Sequence, residues 1–538
     1  MAKNLFSSVK SPRIKKNVFN LSHENKLSLN MGELIPILCQ EVVPGDRFRV
    51  RTDLLLRFAP MLAPIMHRVN VYTHFFFVPN RIIWDEWEDF ITGGKDGTKK
   101  PVFPNLSGQG ATTWKNWFPK GELGDYLGVP PITDPDGSFG AFHINALPFR
   151  AYNMIYNEYY RDQNLEDPVS FSVASGNISS PGELLYIKKR SWEKDYFTSA
   201  LPWAQRGEPV NLPLGGSAPV TVAWNDSGML SEGMKVRPIN NQDKMYSTHN
   251  VLGLNMDESG PESSTSTLMN ANVKTGGAVG LDKEVVIDPN GTLEADLSEA
   301  TGITINDLRR SVKLQEWLER NARGGARYIE QILSHFGVVS SDARLQRPEY
   351  LGGGKSPVVI SEVLQTSATD ETSPQANMSG HGVSAGSSHQ FTKFFEEHGY
   401  IMGILSVIPK SAYQQGLPKI FSKLDKFDYY FPEFAHLGEQ PILNKELYIS
   451  LRNESEVKAN EEVFGYTPRY AEYKYIPSQV HGDFRDDLDF WHLGRIFTSR
   501  PALSRQFVQV DWKSLNRIFA VESSASGDLD HIWVQLYN

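Results

Sequence analysis

Asp46-Arg47-Phe48-Arg49-Val50-Arg51-Thr52-Asp53-Leu54-Leu55-Leu56 sets Phe48, Val50, Leu54 and Leu56 in alternation with Arg47, Arg49, Arg51 and Leu55. That is the period-two pattern of a half-buried strand, expected to run from Asp46 to Leu56. Val69 to Val78 reads as a second, more buried strand that ends in the apolar run Phe75-Phe76-Phe77-Val78. Further strands are expected at Val358 to Leu364, Tyr400 to Ile408, Glu446 to Leu451, Tyr470 to Ile476, Arg505 to Val510 and His531 to Tyr537. They lie far apart, and the chain between them does not alternate strand and helix, so the expected fold is mainly β, an antiparallel sandwich with long interstrand loops. With 43 Gly and 32 Pro in 538 residues, turns and loops should be plentiful.

A few helices interrupt this pattern. Phe149 to Arg161 carries Tyr152, Ile155, Tyr156 and Tyr159 at helical spacing. Another begins near Thr304-Ile305-Asn306-Asp307, a capping box with Asp in place of Glu, and ends at Gly324-Gly325. A third, Ala326 to Phe336, puts Ile329, Ile332, Leu333 and Phe336 on one face and stops at Gly337. Both of the latter are expected to be packing helices.

Charge is distributed unevenly. Residues 207–300 carry thirteen acids against five bases, a net −8 of the chain's formal −9, and only two aromatics, Trp224 and Tyr246. Such a segment cannot nucleate a large core, so it reads as an acidic surface insertion. Residues 1–20 form the opposite, a basic arm with Lys3, Lys10, Arg13, Lys15 and Lys16 and no acid. The overall acidity excludes a protein whose whole surface coats nucleic acid, so any such contact must be local. The single Cys39 cannot form an internal disulfide, which fits folding in a reducing cytoplasm. The basic, polar start lacks the apolar core of a secretory signal, and no run approaches the roughly 18–20 apolar residues of a membrane span.

Catalytic patterns do not emerge. Gly352-Gly353-Gly354-Lys355-Ser356 ends like a phosphate-binding loop, but Glu349 stands where its first glycine belongs, so a glycine-rich turn before the Val358 strand is expected. His381, His389 and His398 are scattered singly, Cys39 sits in an apolar run suited to a buried thiol, and paired acids such as Asp486 and Asp487 carry no catalytic spacing. No cofactor is expected, and no spacing identifies a divalent-cation site. In Arg469-Tyr470-Ala471-Glu472-Tyr473-Lys474-Tyr475 aromatics alternate with Arg469 and Lys474, which suits either base stacking with phosphate pairing or a strand with one aromatic face packed inward.

Four blocks carry a family resemblance: His74-Phe75-Phe76-Phe77-Val78-Pro79-Asn80-Arg81-Ile82-Ile83-Trp84; Pro148 to Asn153 with Asn157 to Asn164; Asp342 to Gly353; and Phe464 to Lys474. In this order they resemble the major capsid proteins of the Microviridae, small bacteriophages with circular single-stranded DNA, and the length and acidic insertion are similar to the gokushovirus branch. The resemblance implies an eight-stranded antiparallel jelly roll forming a T=1 icosahedral shell of about sixty copies, with pentamers as intermediates, located in the virion and assembled in the host bacterial cytoplasm. It implies no enzyme. Residues 21–206 and 301–538 would form the jelly-roll domain, and 207–300 a threefold protrusion for host attachment carrying Trp224, Asp226, Tyr246, Asp257, Glu258 and Glu262. The arm, with Arg469 and Lys474, would contact the genome. Partners implied are further copies of the chain, genomic DNA, small DNA-binding, spike, pilot or scaffolding proteins, and a cell-surface receptor. The Pro-rich aromatic loops Trp114 to Pro119 and Tyr429 to Pro432 are expected as intersubunit anchors or as intradomain packing. Two other classes compete with the capsid reading, a β-sandwich carbohydrate-binding protein or glycoside hydrolase and a single-stranded-DNA-binding protein.

Overall fold

The computed structural model describes residues 17–132, 140–208, 210, 305–325, 327–364, 378–387, 390–519 and 532–537, with short strands between 220 and 295. Five strands come early: β1 (Glu24–Leu29), β2 (Ile35–Val42), β3 (Arg47–Val50), β4 (Asp53–Phe58) and β5 (Val69–Pro79). Six return late: β6 (Glu349–Pro357), β7 (Val359–Leu364), β8 (Met378–Ser387), β9 (Phe391–Phe394), β10 (Gly399–Pro409) and β11 (Ile532–Tyr537). They form a five-stranded sheet in the order β1-β11-β4-β8-β7 and a four-stranded sheet in the order β6-β5-β10-β2, antiparallel throughout. Strand-to-strand alternation explains the core between them: Leu54, Leu56 and Phe58 of β4 and Val534 and Leu536 of β11 meet Val69, Val71, Leu405 and Val407 from β5 and β10.

The other face of the four-stranded sheet is covered as well. Helix α1 (Leu147–Ile155) continues into a single π-helical turn, Tyr156–Tyr160. Its Phe149, Tyr152 and Ile155 share a core with Phe76, Val78, Tyr400, Met402 and Ile404. Burial on both faces is why β5 and β10 read as nearly unbroken apolar runs rather than as alternating ones.

The mainly β expectation therefore holds, with corrections in detail. The Asp46–Leu56 strand is two strands, because β3 pairs with β9 while β4 turns to β8 and β11, with buried Thr52 between them. Glu446 to Leu451 is not a strand: Asn444–Leu447 makes a helical turn held by the buried Glu446 carboxylate, which accepts from Leu443 N–H at 3.0 Å and from the Tyr196 hydroxyl at 2.9 Å. Tyr470 to Ile476 is not a strand either, because Tyr470 adopts a left-handed φ of 62° before the 3-10 turn Ala471–Tyr473. Arg505–Val508 is a helical turn with Phe507 and Val508 buried. In each case six or seven residues of alternating pattern fit a short turn as well as a strand.

Gly352 to Ser356, expected as a turn, lies inside β6. A Cβ on Gly353 would fall 2.5 Å from the Thr73 carbonyl oxygen and 2.6 Å from the His74 ring, so glycine here permits close approach to β5 and serves no phosphate loop.

Two units are distinguished, Met1–Gly207 with Leu318–Asn538, and Glu208–Trp317. Within the second, Val220–Val222 pairs with Leu293–Ala295, Lys235–Pro238 lies between Tyr246–Ser247 and Val285–Ile287, and Val273–Thr275 pairs with Gly277–Val279. Helix α2 spans Ile305–Gly324, and helix α3 spans Tyr328–Phe336 with Gly337 in the left-handed region as its stop. On α3, Ile329 and Ile332 are half-buried, whereas Leu333 and Phe336 of the same expected face are exposed.

Candidate assembly and nucleic-acid surface

Pro418-Lys419-Ile420-Phe421-Ser422-Lys423-Leu424-Asp425-Lys426-Phe427-Asp428-Tyr429-Tyr430-Phe431-Pro432 has neither helical nor strand periodicity, and it folds as successive 3-10 turns, Lys419–Phe421, Lys426–Asp428 and Pro432–Phe434. Each turn has a local cause. Asp428 accepts the backbone N–H groups of Leu424 and Asp425, both at 2.9 Å, and these donors hold its carboxyl below its ordinary value. Pro432 opens the third turn, where its missing N–H costs nothing.

The Ala471–Tyr473 turn packs beside this loop. Tyr470 donates its backbone N–H to Gln440 Oε1 at 3.0 Å, which fixes the left-handed residue, and its ring lies edge-on to Tyr430 at 5.0 Å. Gln440 in turn donates to Glu472 at 2.7 Å, and Glu472 pairs with Lys423 at 3.0 Å. Burial alone would raise the Glu472 carboxyl, but the Gln440 hydrogen bond and the Lys423 ammonium outweigh it and hold it below its ordinary value. Lys423 also sits 4.0 Å from the Tyr473 ring centroid, so its charge is shared between a carboxylate and an aromatic face.

What this scaffold presents outward is apolar. Leu424 is 94% and Ile476 88% exposed, and Ile420, Phe421, Tyr429, Tyr430, Tyr473 and Tyr475 are exposed with them. An isolated exposed leucine is unremarkable, but Tyr430 lies 6.0 Å from Tyr473 and Lys423 lies over both Tyr429 and Tyr473, so the two segments share a neighbourhood whose exposed apolar residues and charges, among them Lys426, Lys474, Asp425 and Glu433, are the composition of a contact face. Sequence patterning missed Ile420, Phe421 and Leu424; the signal was a density of apolar residues in a stretch with no period to bury them.

Of the residues expected to meet nucleic acid, Arg469 and Lys474 belong to this neighbourhood. The Arg469 guanidinium carbon lies 5.8 Å from the Phe434 ring centroid and 5.3 Å from that of Tyr470, and Lys474 is exposed. Lys3, Lys10, Arg13, Lys15 and Lys16 lie outside the described residues. So do Trp224, Asp226, Asp257, Glu258 and Glu262, while Tyr246 falls in the short strand Tyr246–Ser247. The two aromatic segments part company: Tyr429 to Phe431 is exposed, whereas Trp114 lies on a helix, Ala111–Trp117, rather than in a loop, and packs on Phe118 and Phe142 at 5.1 and 5.0 Å with Phe118 fully buried. Cys39 is a free thiol on β2 whose burial pushes it up to about 12, well above reactive values.

Among the described residues no group of three or more His, Cys, Asp or Glu converges as a metal site, and no helix is long and apolar enough to cross a membrane. His381 lies on β8, His398 stands edge-on to Trp87 at 5.4 Å, and His389 is outside the described residues.

Residues 7–537 match the family model described as capsid protein (F protein). The chain is 37% identical to capsid protein VP1 of Chlamydia phage 1, over 94% of its own length and 91% of that protein. It is 37% identical to capsid protein VP1 of Bdellovibrio phage phiMH2K, over 94% and 90% of the two chains, and 33% identical to capsid protein VP1 of Spiroplasma virus 4, over 96% and 92%. The resemblance carried by the four blocks is borne out, and a structural role follows from it. With matches that span nearly the whole chain, this protein belongs to the capsid protein (F protein) family.

Proposed function

We propose that the chain is the building block of a T=1 icosahedral shell enclosing a circular single-stranded DNA genome, and that its sandwich is an eight-stranded jelly roll. Strand order is the observation that carries this reading. With β7 and the β3–β9 pair set aside, the sheets run β1-β11-β4-β8 and β2-β10-β5-β6, so the first strand pairs with the last and the second with the last but one. That nesting of outer pairs around inner ones is the double Greek key of capsid jelly rolls. Closed shells need self-complementary surfaces, and the exposed face around Leu424, Tyr429 and Ile476 is suited to a neighbouring copy. Leu424→Asp should leave the unfolding free energy within about 0.5 kcal/mol of the parent, because the side chain is exposed, yet stop particle formation. Sedimentation of lysate particles beside an unfolding curve checks both; particles at parental yield would remove this face from the interface.

The basic arm, residues 1–16, would lie inside the shell and neutralise genome phosphates, a contribution of five charges per copy that symmetry multiplies. Deleting it should lower packaged DNA or particle yield, read by nucleic acid extracted from purified particles; unchanged particles with unchanged DNA would reject the assignment. The acidic insertion 207–300 would project at the threefold axes and carry host attachment, including Trp224, Asp226, Tyr246, Asp257, Glu258 and Glu262. Particles that assemble without residues 208–300 should fail to adsorb to host cells, and normal adsorption would end that role. Small DNA-binding proteins and spike or scaffolding proteins would join the chain during assembly in the host cytoplasm.

A further inference from the structure

A cavity of about 640 Å3 opens beside the π-helical turn Tyr156–Tyr160, between that turn, β5, β6 and the segment around Arg190. Two departures from regular structure meet there. The π turn is a rare geometry that recurs at functional sites, and it projects Tyr159 and Tyr160 into the cavity. Opposite, β6 is bulged between Tyr350 and Gly352 where it pairs with β5, which re-aims the Tyr350 side chain. His74 of β5 lies between the two walls, its ring stacked on Tyr160 at 5.9 Å and edge-on to Tyr350 at 6.0 Å. Burial lowers His74 to about 4, aided by the neighbouring Arg190 charge, so its ring is neutral at physiological pH and suited to stacking.

The charges around the cavity are matched, with one exception. Arg347 pairs with Asp342 at 3.2 Å, Lys194 with Asp162 at 2.6 Å, and Glu193 is engaged by Lys355 at 2.8 Å and by the Tyr72 hydroxyl. Arg190 lies 4.1 Å over the Tyr72 ring and donates one N–H to Ser406 Oγ at 2.7 Å, but among the described residues it makes no ion pair. A half-buried guanidinium that makes one side-chain hydrogen bond, with the Glu193 charge near it, keeps further N–H groups that can donate to a ligand. Ser191, which lines the same cavity, has a buried hydroxyl without a hydrogen-bond partner among the described residues.

We propose that this cavity is a nucleotide site, with a phosphate accepting hydrogen bonds from Arg190 and Ser191 and a base stacked on Tyr350 beside the His74–Tyr160 pair. One unmatched cation answers the single charge of a phosphodiester, and ring faces answer a planar base. A peptide carboxylate would satisfy Arg190 but leave the half-exposed Tyr350 ring without a planar partner. The proposal rests on the shell reading only for its source of nucleotide, a strand of enclosed DNA; a free mononucleotide offers the same chemistry.

The test uses the full-length chain, with thymidine 5′-monophosphate and a short oligothymidylate, each also prepared with 5-iodouracil for photocrosslinking and mass-spectrometric mapping. Saturable crosslinks at Tyr160 or Tyr350 are expected. Arg190→Lys, which keeps the charge but loses the planar fork, should weaken binding about tenfold, and Ser191→Ala should weaken it less. Should Arg190→Lys disturb folding, Tyr350→Ala gives a second reading, because that ring is half exposed. Binding of both ligands, or of either alone, supports the site and identifies its source. Absence of saturable crosslinks in the cavity, or occupation by N-acetylphenylalanine in preference to both nucleotides, overturns it. Particle yield measured in parallel separates the two ideas: parental chain that binds nucleotide here without forming shells would count against the shell and not against the site.

Discussion

Trp84→Ala should lower the unfolding free energy by about 3–5 kcal/mol, the loss of a fully buried aromatic together with the cavity it leaves. Trp84 has no exposed surface and touches three rings, Trp87 at 5.8 Å, Phe90 at 4.9 Å and Phe103 at 5.0 Å. Its indole N–H donates to Ser175 Oγ at 2.7 Å, so the ring also ties the segment after β5 to a loop 91 residues away. Phe90 and Phe103 also pack on each other at 5.6 Å, which limits how far they can close over the space. Trp84→Phe keeps most of the volume and loses the hydrogen bond, for a smaller expected loss of about 1 kcal/mol. Urea unfolding followed by circular dichroism measures both. A loss below about 1 kcal/mol for the alanine variant would mean that this cluster relaxes far more than its packing implies.

Gly416→Ala should cost about 3 kcal/mol for a different reason, steric rather than hydrophobic. A Cβ at Gly416 would stand 1.9 Å from the Glu446 carbonyl oxygen and 2.6 Å from its carbonyl carbon, so backbone must move. The segment displaced is the helical turn that carries the Glu446 carboxylate, and on either side of it Leu417 N–H bonds the Lys445 carbonyl at 2.8 Å and Ile449 N–H bonds the Gln415 carbonyl at 3.0 Å. Shifting Glu446 would strip a buried acid of its partners Tyr196 and Lys419. The thermal midpoint of the purified variant reads the effect, and an unchanged midpoint would show that the two segments are not held in contact.

Much of the sandwich was legible in the sequence. Val69 to Val78 and Tyr400 to Ile408 announced themselves because strands buried on both faces need unbroken apolar runs, and they became β5 and β10 with at most one residue added at each end. Leu54 and Leu56 were legible for the opposite reason, since alternate residues of β4 are buried and Leu55 between them is less so. Glu446 to Leu451, Tyr470 to Ile476 and Arg505 to Val510 misled because each is pinned by contacts distant in sequence, such as Gln440 on the Tyr470 N–H, that no local period encodes. The Leu424 face was hidden by the same limit: periodicity finds residues that bury themselves within one chain, and exposed residues have no period to obey. The cavity around Arg190 joins residues from 74 to 350, so its assembly could be seen only once the strands were paired.

The most direct test of the shell reading is electron microscopy of the nuclease-treated particle fraction that contains this chain, with extraction of the protected nucleic acid. The account predicts small T=1 icosahedra in which the chain is the dominant protein and the protected nucleic acid is circular single-stranded DNA. Recovery of the chain only as a soluble monomer, outside particles and without protected DNA, would contradict it.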